Sequence, residues 1–335
     1  MSVISVLGSG GWGIALACTL ANNGHKVSLW SVFQDEVDLL KRERCNEKLL
    51  KGVYIPESIN ITNDISVVKE SDIVVLAVPS FAIRQTAHSM ADLVKDNTVV
   101  VNVSKGFEKD TLKCMSEVIA DELPRVRVVV LSGPSHAEEV ARSVPTSIVS
   151  ASTDAEAAAL VQEAFSCSAL RVYTNDDVIG VEVGGALKNV IALSAGICDG
   201  LKLGDNTKAA LMTRGLSEIA RLGVAMGARA ETFSGLTGIG DLIVTCMSMH
   251  SRNRRYGILI GEGVDPLEAI DRIGMMVEGY HACAISYDLA KKYNVDMPIC
   301  TQCYKILSSK VKPEEALRNL MERPKKNETE NLFIR

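Results

Sequence analysis

The chain has 335 residues, with 36 Lys and Arg against 41 Asp and Glu, for a formal net charge of −5. Hydrophobic residues make up 47% and charged residues 23%, which excludes wholesale disorder, and the length allows two domains at roughly 150 residues each. The mild acidity, with no long Lys/Arg run, gives no electrostatic footprint for nucleic acid, and no uninterrupted apolar run of about 18 residues marks a membrane span.

The N-terminus has no basic region and runs straight into a strand pattern at residues 3–7, so no signal peptide is expected. Residues 14–20 read as a helix of small residues that stops at Asn22-Asn23-Gly24, and 26–30 as a second strand. The nearly continuous apolar runs 73–78, 98–103 and 126–131 suit parallel strands buried on both faces, with weaker strands at 146–150 and 170–173. Helical stretches at 82–93, 111–122 and 154–165 lie between them, and this alternation predicts a doubly wound α/β sheet. Past about Asn175 strand patterns stop, and helices are expected at 181–197, 208–226, 252–260, 266–273, 282–293, 298–307 and 313–321. The expected organisation is a Rossmann-like N-terminal domain, 1–177, and an all-α C-terminal domain, 178–335, ending in a polar, frayed tail from 323.

Nine cysteines, an odd number among apolar neighbours, point to reduced thiols and a cytoplasmic location. Cys300-Thr301-Gln302-Cys303 lacks a second ligand pair and reads as two cysteines on one helix. The five histidines show no metal-ligand spacing, so no metal is expected.

Gly8-Ser9-Gly10-Gly11-Trp12-Gly13 fits G-x-G-x-x-G, with a strand before it and a helix after. Gly8 permits the tight turn, Gly10 lets backbone approach a pyrophosphate, and Gly13 allows close helix–sheet packing. The helix N-terminus supplies N–H groups for phosphate. The end of the second strand reads Leu29-Trp30-Ser31-Val32-Phe33-Gln34, with neither acid nor Arg in the expected place and Asp35 a few residues late. Ser31 suits either ribose, so the choice of NADP or NAD stays open, with a lean towards NADP or dual use. Strand ends at Val78-Pro79-Ser80, Val103-Ser104-Lys105-Gly106 and Leu131-Ser132-Gly133-Pro134-Ser135 fall where open parallel sheets bind ligands. Lys105 reads there as a ligand contact or as a solvated surface lysine.

Glu182 to Leu193 is a helix with one cation, Lys188, amid small and apolar residues. Gly184 and Gly185 each cost about 1 kcal/mol of helix propensity, so another helix or a ligand must approach there. Partial desolvation would lower the Lys188 pKa towards neutrality and suit it to proton transfer; the alternative is a lysine snorkelling from a packed helix. Asp241, after the glycine turn 235–240, is either an N-cap or a carboxylate that orients the lysine. Ser251-Arg252-Asn253-Arg254-Arg255 places three arginines at a helix start, where a bound phosphate would offset the unfavourable dipole; a basic surface turn is the alternative.

Taken in order, 8–13, 103–106, Ser132-Gly-Pro-Ser-His-Ala137, Gly184-Gly-Ala-Leu-Lys-Asn189, Gly238-Ile-Gly-Asp-Leu242, 251–255 and Val277-Glu-Gly279 resemble the bacterial type of NAD(P)-dependent sn-glycerol-3-phosphate dehydrogenase, from about residue 2 to 310. The resemblance implies interconversion of dihydroxyacetone phosphate and sn-glycerol 3-phosphate, which feeds phospholipid synthesis. It implies Lys188 as the catalytic residue, and Lys105, Gly133, Ser135, Lys188, Asp241, Ser251, Arg252 and Asn253 around the phosphorylated substrate. Gly11, Trp12, Lys105, Ala137, Arg252, Val277 and Glu278 match cofactor positions, and Asn189 matches a residue beside the catalytic lysine. The family often carries a basic residue or His just after the second strand, where this chain has Ser31. A helical second domain of this kind is compatible with a homodimer. The rival readings are a β-hydroxyacid dehydrogenase of related architecture, which would lack the 251–255 cluster, and a non-catalytic nucleotide sensor, which would not need Lys188, Asn189 and Asp241 together.

Overall fold

The computed structural model describes residues 1–328; the last part of the expected frayed tail, 329–335, lies outside the described residues. The chain divides into two compact units, one of Met1–Glu108 and Lys113–Val178, the other of Lys109–Leu112 and the chain from Ile179.

In unit 1, β1 (Val3–Leu7) leads through the glycine turn into α1 (Gly11–Asn22) and β2 (Lys26–Trp30). There follow α2 (Gln34–Glu43), a hairpin of β3 (Cys45–Asn46) and β4 (Leu50–Tyr54), β5 (Asn60–Thr62) and β6 (Ile73–Leu76). The rest of the unit is α3 (Ile83–Ser89), β7 (Val99–Asn102), α4 (Met115–Glu122), β8 (Arg127–Ser132), α5 (Ala137–Val140), β9 (Thr146–Ala151), α6 (Ala155–Phe165) and β10 (Leu170–Asn175).

The main sheet runs β10-β9-β8-β7-β6-β1-β2-β5. Neighbours are parallel except β8 and β9, which pair antiparallel. Strand alternation feeds two apolar layers. Ile73, Val75 and Val101 pack with α1 and α6 on one face, whereas Val74, Leu76 and Val100 pack with α3 and α4 on the other. Burial on both faces explains why these strands read as continuous apolar runs.

Helices expected at 82–93 and 111–122 are shorter in the structure. The first is α helix only over Ile83–Ser89. The second starts at Met115, because Leu112 takes a left-handed φ of 59° and the Glu117 carboxylate accepts the Cys114 N–H at 2.8 Å, fixing the helix start there.

Unit 2 is helical: α7 (Val178–Gly200), α8 (Asp205–Ala225), α9 (Asp241–Met247), α10 (Arg252–Gly261), α11 (Pro266–Ile273), α12 (Glu278–Lys292), α13 (Pro298–Leu307) and α14 (Pro313–Met321). By length and composition α7 could cross a bilayer, yet it is a core helix, buried from Gly180 to Cys198. Cys300 and Cys303 both lie on α13 and are buried.

Two contacts set the geometry of this unit. On α7 and α10, a Cβ at Gly196 would fall 2.1 Å from the Arg254 carbonyl oxygen, at Gly200 2.4 Å from that of Ile258, at Gly257 2.0 Å from that of Leu193 and at Gly261 2.4 Å from that of Ile197. The two backbones therefore touch along a seam of four glycines that admits no side chain. Buried Glu218 of α8 accepts the N–H groups of Ile299 (2.7 Å) and Cys300 (3.2 Å), capping α13, and burial pushes its carboxyl up to about 7.

Candidate active site

The glycine turn in unit 1 fits a dinucleotide. Gly8 has φ 120°, and a Cβ there would fall 2.6 Å from the Ala77 carbonyl; at Gly13 it would fall 1.9 Å from the Gly8 oxygen. Gly10, the N-cap of α1, has open space around its Cα and provides no side-chain cap. The result is a tight turn before a helix N-terminus bare of side chain, the cradle a pyrophosphate needs. Ala137, at the start of α5, stands 3.9 Å from where a Gly11 Cβ would be, and Trp12 and Ala137 flank the same apolar layer.

At the ends of β7 and β8, Lys105 Nζ donates to the Gly133 carbonyl at 3.0 Å, and the Ser135 hydroxyl donates to the same oxygen at 2.9 Å. Gly133 has φ 139°, and a Cβ there would fall 3.0 Å from the Ile148 Cα. The three residues expected at these strand ends are thus brought together around one carbonyl.

In unit 2 the approach anticipated at Gly184 is made by protein backbone. A Cβ there would fall 2.6 Å from the Thr237 carbonyl, in the π-helical turn Leu236–Gly240 that leads into α9. Lys188 lies one helical turn further along the same face of α7, so the first residue of α9, Asp241, meets it. Lys188 is 6% exposed and Asp241 fully buried. Lys188 Nζ pairs with Asp241 Oδ1 and donates to Thr245 Oγ1 at 2.7 Å; the Thr245 hydroxyl donates to the Asp241 carbonyl at 2.6 Å. Asp241 is therefore a counterion to Lys188, with Gly240 as the N-cap of α9. Burial pushes the neighbouring Cys246 thiol up to about 12, so it supplies no thiolate.

The next residue of α7 starts a second network. Asn253 of α10 donates through Nδ2 to Asn189 Oδ1 at 2.9 Å, and its Oδ1 accepts the Gly279 N–H at 2.8 Å. This ties α7, α10 and the Val277-Glu278 start of α12 together. Ser251 caps α10, its hydroxyl accepting the Arg254 N–H at 3.2 Å. Of the arginines in this cluster, Arg254 is structural: it donates to Asp199 at 2.8 Å and to the Met247 carbonyl at 2.6 Å. Arg252 opens α10, half-buried.

Two groups escaped the sequence reading. Thr245 carries no signal beyond its place one turn after Asp241. Glu36, on the first turn of α2, accepts the hydroxyls of Ser9 (2.7 Å) and Ser31 (2.5 Å). An acid therefore does stand at the end of β2, and the hydroxyl hydrogen of Ser31 is committed to it.

A strand–helix unit with a dinucleotide cradle in its glycine turn and a helical unit holding a buried lysine–carboxylate pair together define the class as nucleotide-dependent oxidoreductases. Residues 3–158 match the family model for the NAD-dependent glycerol-3-phosphate dehydrogenase N-terminus, and residues 177–318 match that for its C-terminus. The chain is 52% identical over 334 residues to a glycerol-3-phosphate dehydrogenase [NAD(P)+] of Fusobacterium nucleatum, covering 99% of this chain and 100% of that one. It is 50% identical over 329 residues to the protein of that name from Clostridium perfringens, covering 98% and 99%. A crystal structure of glycerol-3-phosphate dehydrogenase from Coxiella burnetii superposes with a TM-score of 0.93 at 40% identity, covering 96% of this chain and 99% of that one. The chain belongs to the NAD-dependent glycerol-3-phosphate dehydrogenase family.

Proposed function

We propose that the protein reduces dihydroxyacetone phosphate to sn-glycerol 3-phosphate, reversibly, with NADH or NADPH, and so supplies glycerol 3-phosphate for phospholipid synthesis. The observation that carries this reading is the buried Lys188–Asp241–Thr245 constellation in a chain of this family. A bound reduced nicotinamide supplies the hydride for the C2 carbonyl carbon. Lys188 acts as general acid, giving an Nζ proton to the oxygen that forms at C2, and in reverse its neutral amine takes that proton back. Asp241 and Thr245, both bonded to Nζ, fix its position and direction.

Arg252, Asn253 and the N–H groups of the first turn of α10, capped by Ser251, are assigned to phosphate. Lys105, Gly133 and Ser135 are assigned to the substrate, with Lys105 also reaching the cofactor. Gly8, Gly10, Gly11, Trp12, Gly13, Ser31, Ala137, Arg252, Val277 and Glu278 are assigned to the cofactor. Unit 1 is read as the dinucleotide-binding domain and unit 2 as the substrate and catalytic domain. We place the protein in the cytoplasm, where its nine cysteines would stay reduced, and read it as a homodimer. The test follows nicotinamide absorbance with each cofactor and dihydroxyacetone phosphate. A decline that requires the ketone is expected. No decline with either cofactor, alongside turnover of a 2-oxo acid, would overturn the assignment in favour of a hydroxyacid dehydrogenase.

A further inference from the structure

The hydroxyls of Ser9, in the glycine turn, and Ser31, at the end of β2, converge on one oxygen, Oε2 of Glu36. Ser9 and Ser31 are 3% and 4% exposed, and the Ser31 oxygen also accepts the Phe33 N–H at 3.3 Å. The hydroxyl hydrogens of both serines are thus committed to the carboxylate, while Oε1 of Glu36 has no hydrogen-bond partner among the described residues. Glu36 itself is half-buried. It lies beside the turn that cradles the pyrophosphate and the strand end at which a dinucleotide's adenosine ribose is recognised.

The charge of the segment that follows β2 has one sign. From Ser31 to Leu40 the chain carries Asp35, Glu36 and Asp38 and no cation; Val32 and Phe33, which follow the strand, are exposed and apolar. Lys41 is the first cation, in the last turn of α2. A 2′-hydroxyl can donate to a carboxylate oxygen. A 2′-phosphate cannot, and would add about two negative charges next to a segment that carries no cation from Ser31 to Leu40.

We propose that Glu36 is the specificity-determining residue for the cofactor. Its Oε1 accepts the adenosine 2′-hydroxyl and its charge repels a 2′-phosphate, so the protein prefers NADH to NADPH. The acid comes from the first turn of a helix rather than from the strand, with two serines as its support. This rests on the dinucleotide reading above and replaces the lean towards NADP drawn from the strand end alone.

The test is calorimetric titration of the full chain, without substrate, with NADH and with NADPH, and in parallel with adenosine 5′-monophosphate and adenosine 2′,5′-bisphosphate, which probe the adenosine end alone. The parent is expected to bind NADH about 10- to 100-fold more tightly than NADPH, the range one hydrogen bond to a charged group supports. The bisphosphate should show the same penalty against the monophosphate. Glu36→Gln keeps the shape and removes the charge, and should bring both ratios close to one. NADPH binding as tight as NADH in the parent overturns the proposal, whether or not the variant folds; so does a folded Glu36→Gln with the parent's ratios. Neither dinucleotide binding at all would sink the cofactor reading itself. Ketone reduction preferring NADPH would leave the reaction standing and this inference refuted.

Discussion

Replacing Lys188 by methionine keeps the length of the stem and removes the charge. It leaves Asp241, fully buried, facing an apolar group in place of its cation. Breaking one side of a buried pair costs about 3–5 kcal/mol, because the remaining charge is desolvated and uncompensated. At about 2–4 °C per kcal/mol, the melting transition of unit 2 should fall by roughly 6–20 °C. Turnover should fall by about 10²–10⁴, the contribution of a positioned proton donor. The two losses have different causes and can be separated. In Lys188→Met/Asp241→Asn both charges are gone, so most of the lost stability should return while turnover stays as low as in the single variant. Scanning calorimetry and steady-state kinetics on the three proteins make the comparison. A double variant no more stable than the single one would show that the buried carboxylate is not what destabilises. Near-parental turnover in Lys188→Met would remove the lysine from the chemistry altogether.

Thr245→Val removes the second acceptor that directs Nζ, and should lower kcat about tenfold with little change in KM; a changed KM with kcat intact would contradict a positioning role. Gly257→Ala places a Cβ 2.0 Å from the Leu193 carbonyl oxygen, and should cost about 1–3 kcal/mol or more and raise KM as Asn253 moves with α10. An unchanged melting temperature would mean that the helices can part without cost. Glu218 has its carboxyl raised from 4.5 to about 7, so the folded chain holds a proton that the unfolded chain releases between those values. This term makes stability fall as pH rises from about 4.5 to 7 and leaves it level above. Relative to the parent, Glu218→Gln should therefore gain on the order of 3 kcal/mol across that window, read by denaturant melts at each pH; a constant difference between the two proteins would refute it.

What could be read in advance follows from how each feature is stabilised. Strands β6 and β7 are buried on both faces, so their identity is written in consecutive apolar residues. β3 and β5 have only two and three residues, and β4 is broken by the exposed Lys51-Gly52, so none leaves such a run. α2 has only Val37 and Leu40 buried, too few for a clear helical period. Lys188 was legible because a single cation in an apolar helix is anomalous on its own. Whether Asp241 capped a helix or faced that cation depends on a contact across 53 positions, which the sequence does not encode locally. Glu36 leaves no signal at the strand end for a geometric reason: the acid arrives there from the first turn of the helix that follows.

The glycine seam between α7 and α10 bears on how this protein can vary over time. Gly196, Gly200, Gly257 and Gly261 carry no chemistry, yet the distance between the two helices sets where Asn189 and Asn253 meet. In a saturation screen for activity, these four positions should tolerate as little as the lysine does. A map of sensitive residues drawn from such a screen would then include part of the scaffold, and would overstate the extent of the reactive centre.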